Sequence, residues 1–135
     1  MNKNTLYIQE NNDILLIVNI DGIQKVKSRA LYEFEKLCLQ EYTTLKGRID
    51  AIKEIFKLSY NIPIYINEQM IFIKICNKKR IWINGINVVE VIKDNKGSKI
   101  IFNNGLDLKI DRGYRSINGL LNKVNDIINY KNDFI

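Results

Sequence analysis

The densest charge in the chain is the run Lys78-Lys79-Arg80, set behind Asn77 and ahead of Ile81-Trp82-Ile83. Such a run between two alternating apolar segments reads as a hairpin turn. A short turn loaded with Lys and Arg grips phosphates or reaches into a groove. A narrow A·T-rich minor groove concentrates the negative potential that draws such side chains. The alternative is a solvated turn whose lysines protect a sheet edge. Trp82 alternates within a strand pattern, which reads as core rather than contact.

Residue types exclude most other chemistry. The chain has no His, so triads and dyads that need imidazole are out, as are the usual zinc enzymes. Two cysteines, Cys38 and Cys76, cannot form a four-thiolate metal site and do not suggest a disulfide framework. Asp107 and Asp111 share a strand face but have no third acid, Cys or His near them in sequence. Neither GxGxxG nor GxxxxGK[ST] occurs. The expectation is no enzyme, no cofactor and no metal.

The charge is unevenly placed. The 135 residues carry a net +6, with pI about 9.3. Residues 1–70 hold nine basic and nine acidic side chains, so the whole excess lies in residues 71–135. Lys74, Lys78, Lys79, Arg80, Lys93, Lys96, Lys99, Lys109, Arg112 and Arg115 face only Glu90, Asp94, Asp107 and Asp111 in that stretch. A one-sided field of this kind is the footprint of a polyanion binder, against the simpler reading of a lysine-rich soluble surface. Ile, Asn and Lys all have A/T-rich codons, so part of the lysine excess reflects coding bias.

The elements that position these residues follow from periodicity. No basic stretch precedes an apolar one at the N-terminus, and the longest apolar run, Ile14 to Val18, is far short of a membrane span. The reading is a cytoplasmic chain with no membrane contact, in which Cys38 and Cys76 are small core residues. Residues 5–27 read as a hairpin or short meander turning at Asn11-Asn12-Asp13 and Asp21-Gly22. Ser28 reads as an N-cap for a helix with Leu31, Phe34, Cys38, Tyr42 and Leu45 on one face. Thr43 and Thr44 break this pattern and cap a second helix with Ile49, Ile52 and Phe56 on its face. Gly47, early in that helix, implies tight packing or close approach of a ligand. From Ile62 the period falls to two, with Pro63 marking an edge strand or a strand start. Turns at 67–69, 77–79, 84–85, 94–97 and 103–105 then separate about six short strands. Ser116 reads as the cap of a last helix with Ile117, Leu120, Leu121, Val124, Ile127 and Ile128 on one face. The fold class is α+β in a single domain over 1–135: an N-terminal strand pair, two helices, an antiparallel meander of about six strands, and a C-terminal helix.

The order of motifs resembles a known family. Cys38 precedes Tyr42-Thr43-Thr44-Leu45-Lys46-Gly47-Arg48. Ser59-Tyr60-Asn61-Ile62-Pro63-Ile64, Glu68-Gln69-Met70-Ile71-Phe72 and Arg80-Ile81-Trp82-Ile83-Asn84 follow. Phe102-Asn103-Asn104-Gly105 and Tyr114-Arg115-Ser116-Ile117-Asn118 complete the series. This order is similar to that of the competence transcription factor (ComK) family, over residues 6–128, in a divergent short form. Glu41-Tyr42-Thr43-Thr44 departs from the family's pattern before Gly-Arg, Phe72 to Ile75 departs before the basic turn, and Asn84 replaces a His. The resemblance implies a bacterial cytoplasmic regulator that binds paired boxes in double-stranded A/T-rich DNA as a homo-oligomer. Gly47 and Arg48 match the family's Gly-Arg pair, and Trp82 and Ile83 its Trp-Ile pair. With the charge distribution, the expected DNA-binding residues are Lys46, Arg48, Lys74, Lys78, Lys79, Arg80, Arg112 and Arg115. A regulatory protein partner is also expected. The rival reading is an adaptor domain of the same fold that has lost DNA binding.

Overall fold

The computed structural model describes residues 1–133. Three strands open it: β1 (Thr5–Asn11), β2 (Ile14–Asn19) and β3 (Gly22–Lys27). Two helices follow, α1 (Ala30–Gln40) and α2 (Leu45–Phe56). Then come β4 (Ile64–Asn67), β5 (Met70–Cys76) and β6 (Ile81–Asn84), a 3₁₀ turn at Gly85–Asn87, β7 (Val88–Asp94), β8 (Gly97–Phe102), β9 (Asp107–Ile110) and α3 (Tyr114–Asn132). The α+β class and the order of elements agree with the sequence reading. The N-terminal strands number three, because the return after Gly22 pairs with β2 along its whole length.

The later strands do not form one meander. β4, β5 and β6 join the N-terminal strands in a six-stranded antiparallel sheet of order β3-β2-β1-β6-β5-β4. β7, β8 and β9 form a separate three-stranded sheet. The switch follows β6, where the 3₁₀ turn breaks the pairing. Its cause is Asn84, which is fully buried. The Asn84 side-chain oxygen accepts from the backbone N–H of Ile71 and of Ile86. Its amide donates to the carbonyls of Thr5 and Gln69. Asn87 adds donations to the carbonyls of Lys3 and Thr5. Buried polar groups of this kind must be satisfied, and these two hold the chain where it leaves the large sheet.

The two-residue period gives the large sheet two apolar faces. Ile8, Leu15, Ile17, Ile64, Ile66, Phe72 and Trp82 pack with Ala30, Phe34, Leu37 and Cys38 of α1. Leu6, Ile71, Ile73, Ile75, Ile81 and Ile83 pack on the other face with Ile100, Phe102 and Ile110 of the small sheet and with Ile117, Leu120, Val124 and Ile127 of α3. β5 and β6, buried on both sides, are therefore apolar at nearly every position. β4 forms one edge and begins directly after Pro63, as expected of a residue with no backbone N–H.

Helix starts depart from the sequence reading in two places. The N-cap of α1 is Arg29, not Ser28, and has no side-chain cap bond. The Glu10 carboxylate takes the N–H of Ala30 at 2.7 Å instead, and Ser28 donates to Glu33. α3 starts at Tyr114 with Gly113 as its cap, while Ser116 accepts from Arg112. Thr44 does cap α2, taking the N–H of Gly47. A Cβ on Gly47 would sit 3.1 Å from that same Thr44 oxygen, so tight packing accounts for the glycine. α1 ends at Gln40, and Tyr42 lies outside it at 99% exposure, off the expected apolar face. Leu31 is also turned outward, because β1 and β2 lie under Phe34 and Cys38 rather than under it.

Candidate nucleic-acid interface

The run of cations sits on the hairpin between β5 and β6, the fifth and fourth strands of a six-strand order. These are interior strands. Edge protection therefore does not account for the lysines. Lys78 and Lys79 are exposed at the tip and make no ion pair or hydrogen bond among the described residues. Their ammonium groups are fully available to a ligand.

The base of the turn is anchored through Glu10. Arg80 adopts a left-handed backbone, φ 49°, which a non-glycine residue takes only at some cost. Its carbonyl accepts from the Glu10 N–H at 3.0 Å, and its Nε donates to the Glu10 carboxylate. The other Glu10 oxygen holds the start of α1. Burial by itself raises the pKa of Glu10. The Ala30 N–H, the Arg80 bond and charge, and the Arg29 charge outweigh it and hold the carboxyl below the usual glutamate value.

Trp82 floors this end of the sheet. It is buried, with Phe34 edge-on at 5.9 Å. Lys74 Nζ lies 5.0 Å from the indole centroid and the Arg80 guanidinium 5.4 Å. Cations over an indole face gain from its quadrupole. Burial, then the Arg80 charge, depress the pKa of Lys74. Arg29, the residue before α1, lies close enough for its charge to help lower the Glu10 pKa. Sequence reasoning missed Arg29, which lies in the charge-balanced half and far from the turn in sequence. The charges of Arg29, Lys74 and Arg80 thus bear on one carboxylate, with Lys78 and Lys79 on the turn beyond them. The N-terminal end of the α1 dipole adds to the same positive field.

Arg112 flanks the site from the opposite face. Its Nη1 donates to the Ile75 carbonyl at 3.3 Å, and its Nε to Ser116 Oγ at 2.6 Å. It thus ties the β9–α3 junction to the end of β5. Arg115 is exposed on the first turn of α3 beside it. Six of the eight expected residues, Lys74, Lys78, Lys79, Arg80, Arg112 and Arg115, are therefore carried by one end of β5 and the elements joined to it.

Lys46 and Arg48 lie elsewhere. Lys46 is paired with Asp50 one helical turn away. Arg48 is half-buried, with its guanidinium 5.0 Å from the Tyr65 ring and Nη2 3.4 Å from the Ile66 carbonyl. It makes no ion pair with Glu41, which accepts from Asn67, or with Asp50. Ile66 adjoins the turn at the other end of β5, about 20 Å away at ~3.3 Å per residue along that strand. Cys38 is buried and Cys76 half-buried, both as free thiols.

Fold and site together define an α+β domain that carries a supported cationic hairpin at the centre of its main sheet. A sequence model described as ComK protein matches residues 1–132. The chain belongs to the ComK family, a family of competence-type transcription factors. No curated protein and no solved structure matches it. Gly47 and Arg48 fall at the start of α2, Trp82 and Ile83 in β6, and the Asn103 to Gly105 turn between β8 and β9. No helix among the described residues is long and apolar enough to cross a membrane.

Proposed function

We propose that this chain regulates transcription by binding A/T-rich double-stranded DNA through the β5–β6 hairpin and the cations around it. The observation that carries this reading is the pair Lys78 and Lys79, without a partner among the described residues, at the tip of a hairpin that Glu10 locks in place. Two free ammonium groups on a fixed turn neutralise phosphates at little ordering cost. Arg80 and Lys74, held against Trp82, supply a dense local field. A narrow A·T-rich minor groove has the strongest complementary potential. Arg112 and Arg115 extend the positive surface toward α3 and add phosphate contacts. Affinity of this kind falls steeply with salt, through counterion release.

The protein acts without enzymatic chemistry, in the cytoplasm, and as an oligomer, because paired boxes call for paired subunits. The experiment is an anisotropy titration of matched A/T-rich and G/C-rich duplexes between 50 and 200 mM salt. Tighter binding to the A/T-rich duplex with a steep salt slope supports the reading. Absence of binding at low salt refutes it. Sedimentation at high micromolar concentration, with and without duplex, tests the oligomer.

A second reading is an adaptor domain that has lost DNA binding. Leu31, Tyr32, Leu39 and Tyr42 favour it, since they leave apolar surface exposed along and just beyond α1. Such a surface suits a regulatory protein partner. Failure of every duplex to bind, with α1-dependent association to another protein, would establish this second reading.

A further inference from the structure

We infer that the cleft between α2 and α3 is a binding site for a short-chain organic monocarboxylate. Ala51, Ile52, Ile55 and Phe56 of α2 face Ile127 and Tyr130 of α3 across a cavity of about 180 Å³. At about 30 Å³ per water-sized or methylene-sized group, it holds roughly six such groups. Phe56 meets Tyr130 edge-on at 5.4 Å, and Ile55 remains 41% exposed at the rim. The walls offer an apolar tail much to cover and almost nothing to hydrogen-bond.

The charged groups in the lining, Arg48 and Lys131, are both cationic. Arg48 and Lys131 lie 5.0 and 5.1 Å from the centroid of the Tyr65 ring. Lys131 Nζ also donates to the Tyr65 hydroxyl at 3.0 Å. Among the described residues no acid lines the cleft. Among the described residues, neither cation is within ion-pair distance of a carboxylate. Arg48 Nε is buried and has no acceptor. Two cations with no carboxylate partner among the described residues, beside a small apolar cavity, match one carboxylate on one short chain.

The neighbouring surface limits which anions fit. A second opening, of about 430 Å³, shares Arg48, Tyr65 and Lys131 but is lined also by Glu41 and Glu68. Those carboxylates oppose a polyanion or a dicarboxylate, whose further charge would lie on their side. A monoanion with its tail between α2 and α3 avoids them. The site lies at the opposite end of β5 from the cationic hairpin, so it is separate from the proposed DNA interface.

The test uses the full chain and three probes: hexanoate, hexanol and inorganic phosphate. Hexanoate at millimolar concentration is expected to raise the melting temperature. It should also shift the backbone amide resonances of Ile52, Tyr65 and Ile127 saturably, with a dissociation constant on the order of 0.1–1 mM. Hexanol lacks the charge and phosphate the tail, and each should bind at least tenfold more weakly. Lys131→Met, on an exposed side chain, should weaken hexanoate at least fivefold, and Arg48→Met likewise. Lys57→Ala, outside the cleft, should leave it unchanged. No saturable shift up to 10 mM hexanoate, equal binding of hexanol or phosphate, or full affinity in folded Lys131→Met would each overturn the inference.

Discussion

Removing Lys78 and Lys79 separates a DNA-binding hairpin from a merely soluble one. Both side chains are exposed and unpartnered, so their loss leaves the Glu10–Arg80 anchor and the Trp82 floor untouched. Surface changes of this kind stay within about 0.5 kcal/mol of neutral for stability. If each ammonium neutralises one phosphate, its removal flattens the slope of log K against log salt by about 0.9. The double variant Lys78→Ala/Lys79→Ala then loses about 1.8 from the slope. Between 50 and 200 mM salt, a fourfold change, the wild type should lose roughly twelvefold more affinity than the variant. The loss at low salt should be similar for A/T-rich and G/C-rich duplexes, because phosphate contacts carry no sequence information. The assay is fluorescence anisotropy at four salt concentrations, with melting temperatures measured alongside. An unchanged slope with unchanged stability would show that the tip does not meet phosphate, and would refute the argument from its free cations.

Other substitutions test the framework that holds the site. Glu10→Gln removes the charge between Arg80 and the start of α1, and should destabilise the fold by about 1–2 kcal/mol at pH 7. The Glu10 carboxyl is held below its ordinary value of 4.5. Its stabilisation is therefore complete above about pH 4.5 and disappears as pH falls through the lowered folded value. The melting temperature of the wild type should thus drop more steeply than that of Glu10→Gln between pH 5 and 3; parallel curves would refute the pairing. Asn84→Ala removes the side-chain partner of the Ile71 and Ile86 N–H groups and of the Gln69 carbonyl, while Asn87 still serves the Thr5 carbonyl, and should cost about 3 kcal/mol in urea unfolding. A loss under 1 kcal/mol would show that water replaces the side chain. Gly97→Ala drives a methyl into the Ile110 carbonyl and should cost about 1–3 kcal/mol, read as a lower denaturation midpoint with unchanged m-value.

Much of the fold follows from local pattern. The period-two alternation of Ile71, Ile73 and Ile75 against Phe72 and Lys74 determines which side chains meet α1 and which meet α3, since a strand offers only two faces; a register shift after Lys74 ends the pattern and leaves Cys76 against the α3-side core. The i, i+3, i+4 spacing from Ile117 to Ile127 likewise determines α3. The cationic hairpin is legible for the same reason: a turn of consecutive lysines between two apolar strands has few alternatives. Strand order is another matter. Nothing local states that β6 pairs with β1, and it is this pairing that makes the hairpin central and brings Glu10 to Arg80. Glu10 then displaces Ser28 as the partner of the α1 start, because a buried carboxylate beside two arginines is the stronger acceptor. Arg29 enters the cationic group by the same route. Arg48 shows the converse: its sequence context, beside Gly47 at a helix start, suits a DNA contact. The tertiary structure places it instead against Tyr65, at the far end of β5 from the hairpin, because α2 packs on β4. Side-chain facing is a local consequence of backbone period, whereas proximity between distant segments depends on which strands win one another's hydrogen bonds, and only the folded sheet decides that.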